Sequence, residues 1–447
     1  MDDTIVGLST ALASGAISII RISGKESINL TNKIFKGKDL TKVESHTITY
    51  GHIIYKDEII DEVLVTIMKS PKTYTLEDIV EINSHGGIST TNKIIEILLE
   101  LGCRLAEPGE FTKRAFLNGR IDLVEAEAVN DLINSKTDRS RTLALNNLSG
   151  KLTNKINNIR EKLINIISNI EVNIDYPEYE DITVITNETI LPTIKNIKLE
   201  LIDLLKDSKD SNIIKNGINL AIIGKPNVGK SSILNNLLNE DKAIVTDIAG
   251  TTRDIVEGSI LLKGTLINLI DTAGIRKTDD LVESIGVKKS LDYIDKADLV
   301  LIVLNNNEPL SIEDKDIINE VEENKRLIFV NKSDLPSKLE LNNNYILGNT
   351  VTKDGLDNLK NSIISKFELD NIMEKDISYI SNIRQINLIK ESLNSINSAI
   401  NNINNDISID IVEIDLRSAW ESLGQIIGAN YSEELIDNLF ANFCLGK

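Results

Sequence analysis

Along this chain, short apolar runs bounded by polar turns give way to stretches where apolar residues recur every three or four positions. Ile17 to Ile22, Thr47 to Ile54, Val63 to Met68 and Ile79 to Ile82 are rich in Ile and Val and read as strands, and Ile88 to Leu101 reads as a helix. Residues 1–118 are therefore expected to form an α/β domain. From 119 to 213 the period becomes helical: Leu152, Ile156, Ile159, Leu163, Ile166 and Ile170 lie on one stripe, which predicts a buried seam. Tyr176-Pro177-Glu178 breaks the pattern, a second helix is expected from Leu191 to Leu205, and Asp207 to Asn216 reads as a polar linker. Residues 214–372 alternate strand and helix, the pattern of a doubly wound, mostly parallel sheet. Helical spacing returns in 373–447, at Ile386, Ile389, Leu393, Ile396 and Ile400, and again from Ile409 to Leu423. The economical reading is a multidomain α/β protein, with the 214–372 domain inserted into an all-α domain made of 119–213 and 373–447.

Composition narrows the class. A chain of 447 residues exceeds the size of a single core. No run of 18 apolar residues predicts a membrane span, and Asp2 and Asp3 replace the basic start of a signal peptide. Two cysteines, Cys103 and Cys444, make no disulfide framework, so a cytoplasmic location is expected. The net charge of −19 argues against a protein that grips nucleic acid unaided, so an RNA contact would need a local patch or a more basic partner. DNA is not an expected partner.

The densest chemistry lies in Gly224-Lys225-Pro226-Asn227-Val228-Gly229-Lys230-Ser231, between the apolar run Ile218 to Ile223 and a helical pattern from Ser232. Strand, glycine-rich loop and helix together form a P-loop, whose backbone N–H groups and helix N-terminus meet phosphate oxygens. Lys230 supplies a point charge to the β and γ phosphates, and Ser231 a hydroxyl for Mg²⁺. Asp271-Thr272-Ala273-Gly274 follows the apolar run Leu266 to Ile270. Asn331-Lys332-Ser333-Asp334 follows Leu327 to Val330. A carboxylate at Asp334 accepts from the N1–H and 2-amino group of guanine, donors that adenine lacks, so the nucleotide is expected to be GTP. A chance octet, or a merely polar loop, is the bland alternative for each motif alone, and their order and strand context argue against it. The three motifs resemble those of the translation-factor-related GTPases.

A second block, Pro108-Gly109-Glu110-Phe111-Thr112-Lys113-Arg114-Ala115-Phe116-Leu117-Asn118-Gly119-Arg120-Ile121-Asp122-Leu123, leads into Glu125-Ala126-Glu127. With Asp2-Asp3-Thr4-Ile5-Val6 and Arg21-Ile22-Ser23-Gly24 near the start and Phe443-Cys444-Leu445-Gly446-Lys447 at the end, it resembles the MnmE (TrmE) family of tRNA-modification GTPases over the whole chain. Two places depart from the family pattern. Ala11 to Ala16 replaces a Pro/Gly-rich loop, and Asn349-Thr350-Val351 replaces a Ser-Ala-Lys element that contacts the base.

The resemblance implies roles for particular residues. GTP would be held by Asn227, Val228, Gly229, Lys230, Ser231 and Ser232, by Thr246, Asp247, Ile248, Ala249, Gly250, Thr251 and Thr252, by Asp271, Thr272, Ala273 and Gly274, and by Asn331, Lys332 and Asp334. Ile275 stands where Ras-like proteins place a water-orienting Gln, and Glu283 matches the carboxylate that does this in the family. Charge on the phosphates would be offset by Arg253 or Arg276, or by K⁺ held by Asn227, Thr246, Ile248 and Thr251. Mg²⁺ would take Ser231 and Thr252. A tetrahydrofolate derivative, 5-formyl or methylene, would meet Arg21, Glu81, Arg120 and Lys447, and Cys444 matches a cysteine implicated in the modification. The family implies a homodimer, an MnmG-type flavoprotein partner that brings FAD, and the wobble uridine of certain tRNAs as substrate. Taken singly, Arg21 reads as a surface charge, Glu283 as a helix cap and Cys444 as an inert thiol.

A ribosome-assembly GTPase switch of the Era/EngA type is the competing class, and a pure interaction module a third. Those switches carry KH-like or duplicated GTPase domains, whereas this chain has one P-loop and an acidic balance.

Overall fold

The computed structural model describes residues 3–175, 187–206, 208–240, 258–271, 296–341, 344–374, 380–441, 443 and 446. They fall into two compact units. One comprises Met1–Asn134, Ala144–Ile202 and Asn387–Lys447, and the other comprises Ser135–Leu143 and Asp203–Ile386. The fold is multidomain α/β, with one sheet in each unit.

The first unit begins with β1 (Ile5–Leu8), β2 (Ile17–Ser23), α1 (Ser27–Ile34), β3 (Phe35–Lys36), β4 (Thr47–Tyr55), β5 (Glu58–Met68), β6 (Ile79–His85), α2 (Ile88–Glu100), β7 (Arg104–Leu105) and α3 (Glu110–Leu117). The seven strands run β3-β4-β5-β6-β2-β1-β7. Alternate residues of the central strands (Ile20, Ile22, Val63, Val65, Ile67, Val80 and Ile82) point to one side and pack with Ile28, Ile34, Ile94, Ile97 and Leu98 of the two helices. On the opposite face Ile17, Ile48, Tyr50 and Leu64 are exposed.

The fingerprint block turns out to be largely structural. Arg114, 1% exposed, donates from Nη2 to Asp3 Oδ1 (2.8 Å) and Glu110 Oε1 (3.0 Å), and from Nη1 to both oxygens of Glu77 (3.2 Å). Glu77 in turn accepts from Ser23 Oγ at 2.7 Å. Burial works against the Glu110 carboxylate. Hydrogen bonds from Arg104, the Glu107 N–H and Arg114 outweigh it and hold Glu110 below its ordinary range. Asp122 and Glu125 exchange backbone-to-side-chain bonds of 2.8 and 2.9 Å, a capping box that opens α4 (Leu123–Asn134).

The helical part continues with α5 (Asp138–Leu148), α6 (Lys151–Asp175) and α7 (Asn187–Lys206), and resumes in α13 (Ile383–Asn404), α14 (Ile409–Ile427) and α15 (Glu433–Phe440). The expected stripe is the buried face of α6, with Ile167 added, and it packs against α14. Each Ile or Leu buried there contributes about 1.5–3 kcal/mol. Arg160 of α6 lies 4.4 Å from the Trp420 ring on α14, and Arg417 pairs with Glu171 across the same seam. On α13 the buried face is Gln385, Leu388, Ile389, Ser392, Ile396, Ala399, Ile400 and Ile403. Ile386 and Leu393 are only half-buried, so two positions of the expected stripe belong to its flank.

The second unit contains α8 (Ser208–Asn216), β8 (Ile218–Ile223), α9 (Lys230–Glu240), β9 (Gly258–Leu262), β10 (Thr265–Asp271), β11 (Leu299–Asn305), α10 (Ile312–Glu320), β12 (Arg326–Asn331), β13 (Ile346–Leu347), α11 (Leu356–Lys366) and α12 (Leu369–Glu374). The strand order is β13-β12-β11-β8-β10-β9, parallel except for the β9–β10 pair. The two faces of β8 and β11 feed separate apolar clusters, one with Ile222, Leu301 and Ile233, the other with Ile223, Ile302 and Ile318. The expected polar linker is corrected here: Ser208–Asn216 is a helix, because Ile213 and Ile214 pack into the first of those clusters.

Candidate functional site

The P-loop rises from the end of β8 and runs into α9. Asn227 sits in the left-handed region at φ 65°, exposed at the loop's crest. Gly229 has φ 106°, and a Cβ there would collide with the Asn331 amide. Glycine is required because two loops touch at that point. Asn331 donates from Nδ2 to the Val228 carbonyl at 2.8 Å and accepts at Oδ1 from the Thr350 N–H at 3.1 Å. It therefore joins the P-loop, the end of β12 and the Asn349-Thr350-Val351 loop into one frame. Asn236 of α9 adds a third tie, donating to the Thr350 carbonyl at 2.7 Å. The departures from Ser-Ala-Lys leave this loop ordered. Asn349 is buried, and its side chain accepts from the Val351 N–H at 2.8 Å.

Lys230 donates to the carbonyls of Gly224 and Lys225, both at 2.7 Å. Its ammonium is thus already at the centre of the loop, where phosphate oxygens provide stronger, charged acceptors. The collar is held from outside by Lys225, which pairs with Asp314 of α10 at 2.8 Å and donates to Ser311 at 3.1 Å. Ser231 and Ser232 open α9 on its exposed side. Lys332 and Asp334 follow Asn331 beyond β12, and Asp271 ends β10. A tight backbone crossing, a central ammonium and a helix N-terminus fit a nucleoside polyphosphate. Thr246, Asp247, Ile248, Ala249, Gly250, Thr251, Thr252, Arg253, Thr272, Ala273, Gly274, Arg276 and Glu283 lie outside the described residues, as do Cys444 and Lys447.

A separate site lies on the first unit's sheet. Arg21 and Glu81 are directly opposed on β2 and β6 and pair at 2.8 Å, each about one-fifth exposed. They line a cavity of about 230 Å³ with Met68, Tyr74, Ile79 and Val129. The Arg21 guanidinium lies 5.9 Å from the Tyr74 ring and 5.6 Å from Phe111. Arg120 covers Tyr74 at 4.7 Å and donates to its carbonyl at 3.2 Å. Arg21, Glu81 and Arg120 are thus brought together around one aromatic ring. Sequence reasoning missed Tyr74. Its signal was its scarcity, since aromatics make up 4% of the chain. The turn carrying it is fixed by Thr73 Oγ1 donating to the Glu77 carbonyl (2.6 Å), Asn118 donating to the Thr75 carbonyl (2.7 Å) and a Tyr74–Thr112 hydroxyl bond of 3.0 Å. A flat heteroaromatic with carboxylates fits such a cavity: a ring to stack on, one carboxylate and two guanidinium groups.

Comparison with known proteins places the chain. A family profile described as the GTP-binding protein TrmE N-terminus matches residues 4–120, and one described as the MnmE helical domain matches residues 123–444. The tRNA modification GTPase MnmE of Bacillus mycoides is 49% identical over all of this chain and 99% of its own length. That of Streptococcus thermophilus is 49% identical over all of this chain and 98% of its own. Among solved structures, the G domain of the T. maritima FeoB iron transporter is 29% identical over 33% of this chain and 98% of its own, with a TM-score of 0.26. Nearly half the residues agree with those relatives from end to end, and the two family profiles follow one another along the chain, so this chain belongs to the MnmE (TrmE) family of tRNA modification GTPases.

Proposed function

We propose that this chain is a K⁺-activated GTPase that, with an MnmG-type flavoprotein, modifies C5 of the wobble uridine of certain tRNAs using a one-carbon unit from a tetrahydrofolate. The observation that carries the reading is the frame centred on Asn331, which ties the P-loop to the base-reading loops in a chain alike to its relatives along its full length.

In this reading Lys230 and the N-terminus of α9 bind the phosphates, Ser231 and Thr252 hold Mg²⁺, and Asp334 selects guanine. Asp271 supports the Mg²⁺, and the Gly274 N–H meets the γ-phosphate. Glu283 orients the attacking water. Asn227, with Thr246, Ile248 and Thr251, offers the oxygen ligands that suit K⁺, and a cation there supplies positive charge where the phosphates develop negative charge. Arg21, Glu81 and Arg120 orient the folate, with Tyr74 as its stacking surface and Lys447 as a further cation. Cys444 acts at the uridine. The exposed apolar face of Ile17, Ile48, Tyr50 and Leu64 supports a homodimer through this sheet.

The domain assignment follows the same reading: 1–118 for folate and dimerisation, 214–372 for GTP, and 119–213 with 373–447 as the helical frame. The partner contributes FAD and much of the positive surface for tRNA, consistent with a net charge of −19 here. Among the described residues no helix is long and apolar enough to cross a membrane. A cytoplasmic site of action accords with a tRNA substrate.

GTP hydrolysis in K⁺ against Na⁺ at equal ionic strength tests the cation. The reading predicts a rate that depends strongly on K⁺ and loses that dependence in Asn227→Ala. Equal rates in the two salts would assign the compensating charge to an arginine or to the partner instead.

A further inference from the structure

Gly446, next to last in the chain, lies against the chain's beginning. Its backbone is left-handed at φ 84°, and a Cβ on it would collide with the Leu8 carbonyl and come within 2.9 Å of Ser9 Cα. Its carbonyl oxygen receives two hydrogen bonds, from Ser9 Oγ at 3.1 Å and from Arg21 Nη1 at 3.4 Å. Ser9 is itself placed by its N–H, which donates to the Ile19 carbonyl at 2.8 Å. Three residues upstream, the Phe443 ring packs tilted against Phe440, with centroids 4.9 Å apart, in a cluster with Phe116, Leu123 and Ile436. The tail is thus pinned at two points, one apolar and one polar. The polar point shares Arg21 with the Glu81 pocket.

Nε and Nη2 of Arg21 face Glu81, so the long Nη1 bond to Gly446 is the part of the guanidinium most readily given up to an acceptor in the pocket. The shorter Ser9 bond does not compete with a ligand for Arg21. We propose that Ser9 is a positioning residue: it holds the C-terminal tail at the rim of the Arg21–Glu81 pocket while Arg21 engages the substrate. The tail carries Cys444 and Lys447, to which the proposed function gives the uridine and the folate, so loosening Gly446 lowers turnover. This consequence for the chemistry rests on the folate reading, but the tether itself does not.

Hydrogen exchange of the full-length chain tests it, with Ser9→Ala and Ser9→Thr beside the wild type and 5-formyltetrahydrofolate as the probe. Losing one hydrogen bond of ordinary strength predicts about fivefold faster exchange in the C-terminal peptide of Ser9→Ala, with Ser9→Thr close to wild type because it keeps the hydroxyl. The probe widens the gap between Ser9→Ala and wild type, because it draws Arg21 away. In the modification reaction Ser9→Ala lowers kcat and leaves the KM for the folate unchanged, and Ser9→Thr restores kcat. Equal exchange of wild type and Ser9→Ala, with and without the probe, overturns the proposal. A wild type whose pocket peptides ignore the probe sinks the folate reading of the pocket. Faster exchange of Ser9→Ala in the absence of probe then still upholds the tether.

Discussion

Asn331 donates to the carbonyl of Val228 at 2.8 Å across 103 residues of sequence, and this bond ties the end of β12 to the P-loop. Asn331→Ala leaves the Val228 carbonyl unpaired in a buried place, at a cost of about 1–3 kcal/mol. GTP and GDP affinity should fall together by roughly ten- to a hundredfold, because the frame and not a γ-phosphate contact is lost. Fluorescent GDP titration measures it. A variant that loses GTP but keeps GDP would contradict the assignment.

At Gly229 the same crossing makes a sharper prediction. Gly229→Ala forces a Cβ into the Asn331 amide at a backbone angle that L-residues rarely adopt. Nucleotide binding should be abolished while the first unit, which has its own core, keeps its melting transition in calorimetry.

How much of this was legible in the sequence differs from place to place. Ile218–Ile223 was read with its exact bounds, because a strand buried on both faces is a continuous apolar run flanked by turn residues. The first half of Glu58–Met68 was not. Glu58, Asp61 and Glu62 give no apolar alternation, and pairing with Thr47–Tyr55 across a turn at Lys56 and Asp57, both at positive φ, extends that strand. Ser208–Asn216 looked like a linker because its two apolar residues count only once the sheet they pack on exists. The P-loop was legible since its chemistry is contiguous. Arg21 and Arg120 were grouped only through the family resemblance and Tyr74 not at all, because positions 21, 74 and 120 meet only through tertiary packing. The reading of Glu110, Arg114, Asp122 and Glu125 as a family fingerprint said nothing of their work, which is ion pairing and helix capping.

For the ring between two guanidinium groups, Tyr74→Ala should raise the dissociation constant for 5-formyltetrahydrofolate by roughly tenfold, the worth of a partly desolvated cation–π and stacking surface. Tyr74→Phe should stay near wild type. Isothermal titration separates the two, and an unchanged Tyr74→Ala would remove the ring from the site.

Acid should undo the network around Arg114. Glu110 and Asp3 are held below their ordinary values of 4.5 and 3.8. A depressed carboxylate adds stability above its unfolded value and loses it as pH falls through its folded one. The first unit's melting midpoint should therefore be level from pH 7 down to about 5 and fall steeply below 4.5. In Glu110→Gln the midpoint should be lower at pH 7, and its acid slope shallower. Arg114→Met, which takes the buried guanidinium away from three carboxylates, should cost about 3–5 kcal/mol.

The most direct test is made on tRNA. Cells deleted for their own MnmE-family gene would receive this chain, and their tRNA nucleosides would be resolved by mass spectrometry. The C5-modified wobble uridine should return with the wild-type chain and stay absent with Lys230→Ala. An expressed, folded chain that hydrolyses GTP in those cells and leaves the uridine unmodified would contradict it.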